Sequence, residues 1–246
     1  MSRSLYDLTS PDVAELVART RTAVVPFGST EQHGPHLPCG TDTMAAELVA
    51  AEVAERLDAL LVPSGPYGVT PIHAGHPGTI SLGRDTFERY VGDLCEELIR
   101  MGMETLVLVN WHEGNIASLD AVATDLQARH GGVFVAAQAC YVAQRLYADR
   151  GGRLTHGGGI EALAVLGHDP ALARLERAEG SRPPGAEALD AMRRSREVYG
   201  FITDVTEIAD DGWYGDPAWA TEEMAVGFAS AVAEEIVRQV GEIRRV

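Results

Sequence analysis

The sequence contains no lysine, so its basic side chains are 20 arginines. Lysine Schiff-base and lysine-nucleophile mechanisms are thereby excluded. Cysteine is scarce: Cys39, Cys95 and Cys140 lie far apart, are odd in number and form no Cys-x-x-Cys pair. That spacing disfavours both a disulfide framework and a thiolate zinc site. No apolar run approaches the roughly 20 residues that cross a bilayer. The N-terminal MSRSLYDLTSPD also lacks the apolar core of a signal peptide. These absences predict a soluble, cytoplasmic protein with no membrane partner. Positive charge is short as well, the formal net charge being −16. So acidic a chain repels phosphate backbones, and no nucleic-acid partner is expected. The densest basic group, Arg193, Arg194 and Arg196, is followed by Glu197 and reads as a solvated helix face.

With 246 residues, 46% of them hydrophobic, the chain has ample material for one core, read as a single domain over 1–246. Ser10 is expected to cap a short helix with Pro11 at its first position. TAVVPF at 22–27 and TLVLVN at 105–110 read as buried strands, with shorter ones at 60–63 and within 132–137. Helical periodicity marks 42–57, opened by Thr41 or Asp42 as a cap, and also 85–101, 115–130 and 219–244. The segment 70–82, rich in Gly, His and Pro, reads as a functional loop; 179–185 reads as a surface excursion. Strands alternating with helices predict an α/β fold, a mostly parallel sheet covered on both faces.

Two polar runs stand at strand ends. Glu31-Gln32-His33-Gly34-Pro35-His36 follows the first strand, with Asp42 at the next helix start; Asn110-Trp111-His112-Glu113-Gly114-Asn115 follows the strand at 105–110. Glu31 and His33 are two residues apart, so in an extended segment both side chains project the same way. Carboxylate oxygen and imidazole nitrogen suit zinc, manganese or iron. The carboxyl ends of strands are where open α/β sheets place their sites. A metal hydrolase is the leading reading.

The runs GSTEQHGPHLPCGTDT (28–43), GHPGTISL (75–82), LVNWHEGN (108–115) and HGGGIE (156–161) resemble, in order and spacing, the creatininase family of amidohydrolases. The resemblance implies a three-layer α/β/α sandwich, a centre of two divalent metal ions per subunit and a homohexamer. It implies that Glu31 and His33 each hold one metal, that Asp42 bridges both and that His112 completes the first site. For the fifth ligand the matching late glutamate is Glu161. Creatinine-hydrolysing members carry a glutamate two residues after the strand-end histidine, where this chain has Gly114. Glu113, one residue off, could instead be a ligand by a local shift, a proton carrier or a substrate contact. His156 matches the histidine that protonates the leaving nitrogen.

Independently of any family, a carboxylate bridging two cations brings them close enough to ionise a water between them near neutral pH. One cation then polarises an amide carbonyl and the pair stabilises the oxyanion. The leaving nitrogen needs a donor that titrates near neutrality. The expected activity is hydrolysis of a C–N bond in a small amide, of lactam or formamide type. Creatinine itself is not the expected substrate: the tyrosine and tryptophan of the creatininase-type sites that the chain resembles are replaced by Glu113 and Gly152. His73, His76, Trp111, Trp213 and Tyr214 are the candidate substrate contacts. The loop carrying Trp213, Tyr214 and Trp219 could close over the site or anchor the last helix. His36 could orient a ligand. Cys39 reads as packing, His130 and His168 as surface residues. A non-catalytic metal-binding or regulatory protein on the same scaffold is the competing reading, and it has no need of His156 or Glu161. A nucleotide-binding reading fails because Gly157, Gly158 and Gly159 follow no strand in a phosphate-cradling pattern.

Overall fold

The computed structural model describes residues 3–179, 188, 191–192, 198 and 200–245. Arg193, Arg194, Arg196 and residues 180–185 of the expected surface excursion lie outside the described residues.

The elements run α1 (Ser10–Arg19), β1 (Thr22–Phe27), α2 (Thr41–Arg56), β2 (Leu60–Leu61), α3 (Arg84–Arg100), β3 (Thr105–Asn110), α4 (Ile116–His130), β4 (Val133–Gln138), α5 (Ala139–Leu146) and α6 (Gly159–His168). A short helix, Glu222–Ala225, and a terminal helix, Phe228–Ile243, follow. The four strands are all parallel and lie in the order β2-β1-β3-β4. β1 and β3 are buried along their whole length, which is why both read as continuous apolar runs rather than alternating ones.

Each strand divides its side chains between two cores. Ala23, Val25, Phe27, Leu106 and Leu108 face α1, α3 and α4; Val24, Val107 and Val109 face α2, α5, α6 and the terminal helix. The period of two along a strand produces this division. Phe27 meets Phe87 of α3 edge-on, with ring centroids 5.9 Å apart. Burying side chains of this size stabilises the fold by roughly 1.5–3 kcal/mol each. The result is the expected parallel sheet with helices on both faces. Among the described residues no helix is long and apolar enough to cross a membrane.

Four boundaries differ from expectation. Thr9, not Ser10, precedes α1, and its N–H and hydroxyl both donate to Asp12. Neither Thr41 nor Asp42 caps α2: Gly40 holds the cap position, Thr41 donates its hydroxyl to the Pro38 carbonyl at 2.7 Å, and Asp42 turns its carboxylate elsewhere. The strand expected at 60–63 pairs only over Leu60–Leu61. The helix expected over 219–244 is two pieces, because Gly227 takes a left-handed conformation (φ 80°) that ends the first.

The chain leaves β1 towards β2 on one side and later returns to β3 on the other. The strand order therefore reverses between β1 and β3. Phe27 and Asn110 are register partners, so the polar runs that follow both strands emerge together at this switch point, the usual site in open α/β sheets.

Candidate metal centre

The loop after β1 packs closely on the start of α2. A Cβ on Gly28 would lie 2.4 Å from the Thr43 nitrogen, so only glycine lets the two approach. Asp42 sits in the first turn of α2, where the helix dipole favours an anion. Ser29 donates to its Oδ2 at 2.8 Å.

Asp42 presents one oxygen to each of two groups of ligand atoms. Its Oδ2 lies 2.9 Å from His112 Nδ1, which is also 3.4 Å from Glu31 Oε2. Its Oδ1 lies 3.3 Å from His33 Nε2, which is also 3.8 Å from Glu161 Oε2. Glu31, Asp42 and His112 form one cluster with metal-ligating spacing, and His33, Asp42 and Glu161 form another. All are buried. Glu31 Oε2 and His33 Nε2 make no hydrogen bond.

The tautomers test whether a cation fits. His33 Nδ1 lies 3.0 Å from the Glu31 carbonyl and donates to it; His112 Nε2 donates to the Val69 carbonyl at 3.0 Å. The remaining nitrogen of each ring then faces carboxylate oxygens. At 3.3 and 2.9 Å from a carboxylate oxygen, an imidazole lone pair needs a positive charge between the two, a proton or a metal ion. Without metal, protons serve: burial opposes them, but Asp42 and Glu161 push His33 up to about 10, and Glu31 and Asp42 push His112 up to about 9. Against the cost of its own burial, the same two rings hold Asp42 well below the ordinary carboxylate range. Burial raises Glu31 and pushes Glu161 up to about 8. The donor set of two imidazoles and three carboxylates fits divalent zinc, manganese or iron.

Gln32, between two of these ligands and overlooked in the sequence, ties neighbouring loops together. Its backbone carbonyl accepts from His156 Nε2 at 2.6 Å; its side-chain nitrogen meets His73 Nδ1 at 3.1 Å and donates to the Gly212 carbonyl. A buried glutamine flanked by candidate ligands was the available signal. His156 Nδ1 is left facing Glu31 Oε1 at 3.7 Å. Burial, then His73 and His33, holds His156 well below its ordinary value, so it is a neutral imidazole. His73 stacks on it at 4.1 Å and is pushed down to about 3 by burial and His33. His36 donates to the Gly157 carbonyl at 2.7 Å, and the Gly157 N–H donates to Glu161 at 2.6 Å. His36 thus orients the Glu161 loop rather than a ligand ring.

A cavity of about 380 Å³ opens over Glu31, Asp42, His112, His156 and Glu161. His73, Trp111, Glu113 and Tyr214 line it. His76 and Trp213 do not. His76 lies against Gly212, and the Trp213 ring packs over Gly34 and edge-on to His36 at 4.5 Å. Both belong to the scaffold under the loop. Trp219 anchors packing too, since a Cβ on Gly159 would lie 2.2 Å from its ring. Cys39 packs against Gly78, while His130 pairs with Glu96 at 2.8 Å and His168 is exposed.

The sequence profile of the creatininase family, creatinine amidohydrolase, matches residues 6–240. The chain belongs to the creatininase family. The mycofactocin precursor peptide peptidase of Mycobacterium tuberculosis (strain CDC 1551 / Oshkosh) is 31% identical over 245 residues, covering 95% of this chain and 90% of the relative. The creatinine amidohydrolase of Pseudomonas putida is 31% identical over 201 residues, covering 72% and 76%. A solved structure titled "Creatininase Mn" superposes with a TM-score of 0.78 at 25% identity, covering 98% of each chain.

The geometry closes the position of Gly114 to larger residues. A Cβ there would lie 2.1 Å from the Val69 carbonyl oxygen and 2.4 Å from His112 Nε2. No glutamate can replace Gly114 without moving the bond that fixes the His112 tautomer. Glu113 also stands apart from both clusters: Tyr141 donates its hydroxyl to Glu113 Oε1 at 2.6 Å.

Proposed function

We propose that the protein is a hydrolase of C–N amide bonds that works with two divalent cations, one at Glu31, Asp42 and His112, the other at His33, Asp42 and Glu161. The observation that carries this is the presentation of one Asp42 oxygen to each cluster. Bound there, the cations would supply Lewis acidity and lower the pKa of water. The chain's own residues position and shuttle. His33 and His112 are held by carbonyls in the tautomer that ligation needs. His156, fixed by Gln32 with Nδ1 turned towards Glu31, would take the proton given up by the attacking water and deliver it to the departing nitrogen. Glu113, directed by Tyr141, meets the substrate at the cavity wall and leaves the fifth ligand to Glu161.

The name of the mycobacterial relative shifts the substrate expectation from lactams and formamides towards an acyclic, peptide-like amide. The cytoplasmic location and homohexameric assembly belong to the same proposal. The test is metal content per chain for protein purified without chelator, beside Asp42→Ala. About two metals, lost together in the variant, are expected of a bridged centre. One metal or none, unchanged by Asp42→Ala and by added zinc or manganese, would favour a non-catalytic protein.

A further inference from the structure

We propose that Arg84 is the anion anchor of the cavity, so that the substrates are amides bearing a carboxylate; this rests on the hydrolase reading above. Arg84 lines the same cavity as the ligand clusters and is the single arginine among its described lining residues. Its guanidinium donates to Ser118 Oγ at 3.2 Å, and the fully buried Ser118 donates to Glu88 at 2.9 Å. This tether is neutral at the point of contact. It directs the guanidinium, which makes no salt bridge among the described residues and has the Glu88 carboxylate one hydroxyl away. Elsewhere on the surface arginines sit on carboxylates, as Arg19, Arg100, Arg129 and Arg238 do.

Helix stability does not account for a cation at this position. Arg84 is the first residue of α3, where the helix dipole disfavours positive charge. The remaining guanidinium N–H groups can grip a carboxylate in the bidentate manner that a lysine cannot match. The cavity floor is acidic, with Glu31, Asp42 and Glu161, and Glu113 adds a further carboxylate. With the proposed cations bound, that floor would not repel an anionic substrate, and Arg84 offers its carboxylate a partner in the same cavity. Ile202, Val205 and Ile208 line the cavity as well and offer an apolar surface. Carboxylate anchor, apolar wall and ligand clusters together fit an N-acyl amino acid, or a short peptide with a free carboxyl end and an apolar side chain.

The experiment compares binding of N-acetyl-L-leucine and N-acetyl-L-leucinamide by calorimetry, with metal content measured on the same samples. The two probes differ only in the charged group. The acid should bind the wild type about tenfold more tightly than the amide, the worth of one charge-assisted contact. Arg84→Gln should bring the ratio to about one, and Arg84→Lys should keep part of the preference. Equal binding by the wild type, no detectable binding of the acid, or a preference that survives in Arg84→Gln would each overturn the assignment. A preference surviving in Arg84→Gln but abolished by chelator would place the carboxylate on the metals instead. Failure of the two readings is separable: absence of metal sinks the hydrolase, whereas a metal-loaded protein without acid preference sinks Arg84 alone.

Discussion

Titrating chelator-stripped protein with zinc at pH 7 should release at least about two protons per chain, because each ligating histidine exchanges a proton for the cation. The magnitude follows from the geometry. Both nitrogens of His33 and of His112 face acceptors, so each ring is doubly protonated when no metal is present. Their values of about 10 and about 9 lie far above pH 7. Glu161, raised to about 8 by burial, adds to the release. With one histidine proton exchanged at each of the two sites, the apparent zinc affinity of each should fall about tenfold per unit of pH below the lower histidine value. Calorimetry in two buffers of different ionisation enthalpy reads the proton count directly. Release of less than one proton would mean that the histidines are neutral in the stripped protein, and the reading of the lone pairs would be wrong. A linked effect has a fixed sign. Folded values raised above 6.5 stabilise the stripped protein at lower pH, and that contribution is lost as pH rises through 9 and 10. The stripped protein should therefore melt at a lower temperature at pH 10 than at pH 7, and the metal-loaded protein should not follow it.

Gly114→Ala should cost about 1–3 kcal/mol through overpacking against Val69 and His112, and should lower occupancy of the Glu31–Asp42–His112 cluster; an unchanged melting temperature and metal content would refute the steric reading. Glu113→Gln should leave metal content intact and raise KM for substrates that donate a hydrogen bond to Glu113; loss of metal would make Glu113 a ligand after all. Asp58 is held down to about 2 by Arg19 and Arg3. A depressed carboxylate stabilises above its ordinary value of 3.8 and loses that contribution as pH falls through about 2. Asp58→Asn should cost about 0.2–1 kcal/mol at pH 7, as exposed pairs do. Denaturant unfolding should show that difference shrinking between pH 4 and pH 2, and a constant difference would rule out the ion pairs as its source.

Strand identity was legible in the chain because β1 and β3 are central and buried on both faces, which forces continuous apolar runs at 22–27 and 105–110. Glu31, His33, Asp42 and His112 were legible for a related reason: they follow directly on those strands, and register pairing of Phe27 with Asn110 brings both loops to one edge. Helix ends were less legible. Whether Asp42 caps α2 or leaves the cap to Gly40 depends on what else wants its carboxylate, and His33, His112 and Ser29 lie at other points of the chain. The break at Gly227 depends on a backbone conformation that glycine permits but does not impose.

Tertiary structure alone separates Glu113 from Glu161. Both were acids within reach on paper. The turn after His112 directs Glu113 to Tyr141, while the start of α6, held through Gly157 and His36, brings Glu161 beside His33. It also placed His76 and Trp213 outside the cavity, set Gln32 against His156 and brought Arg84 to the cavity wall, through partners remote in sequence. Local pattern determines which residues end a strand and which alternate into a core, because both follow from the period of the backbone. Which side chain meets which across loops depends on how separate segments pack, and no local period encodes that.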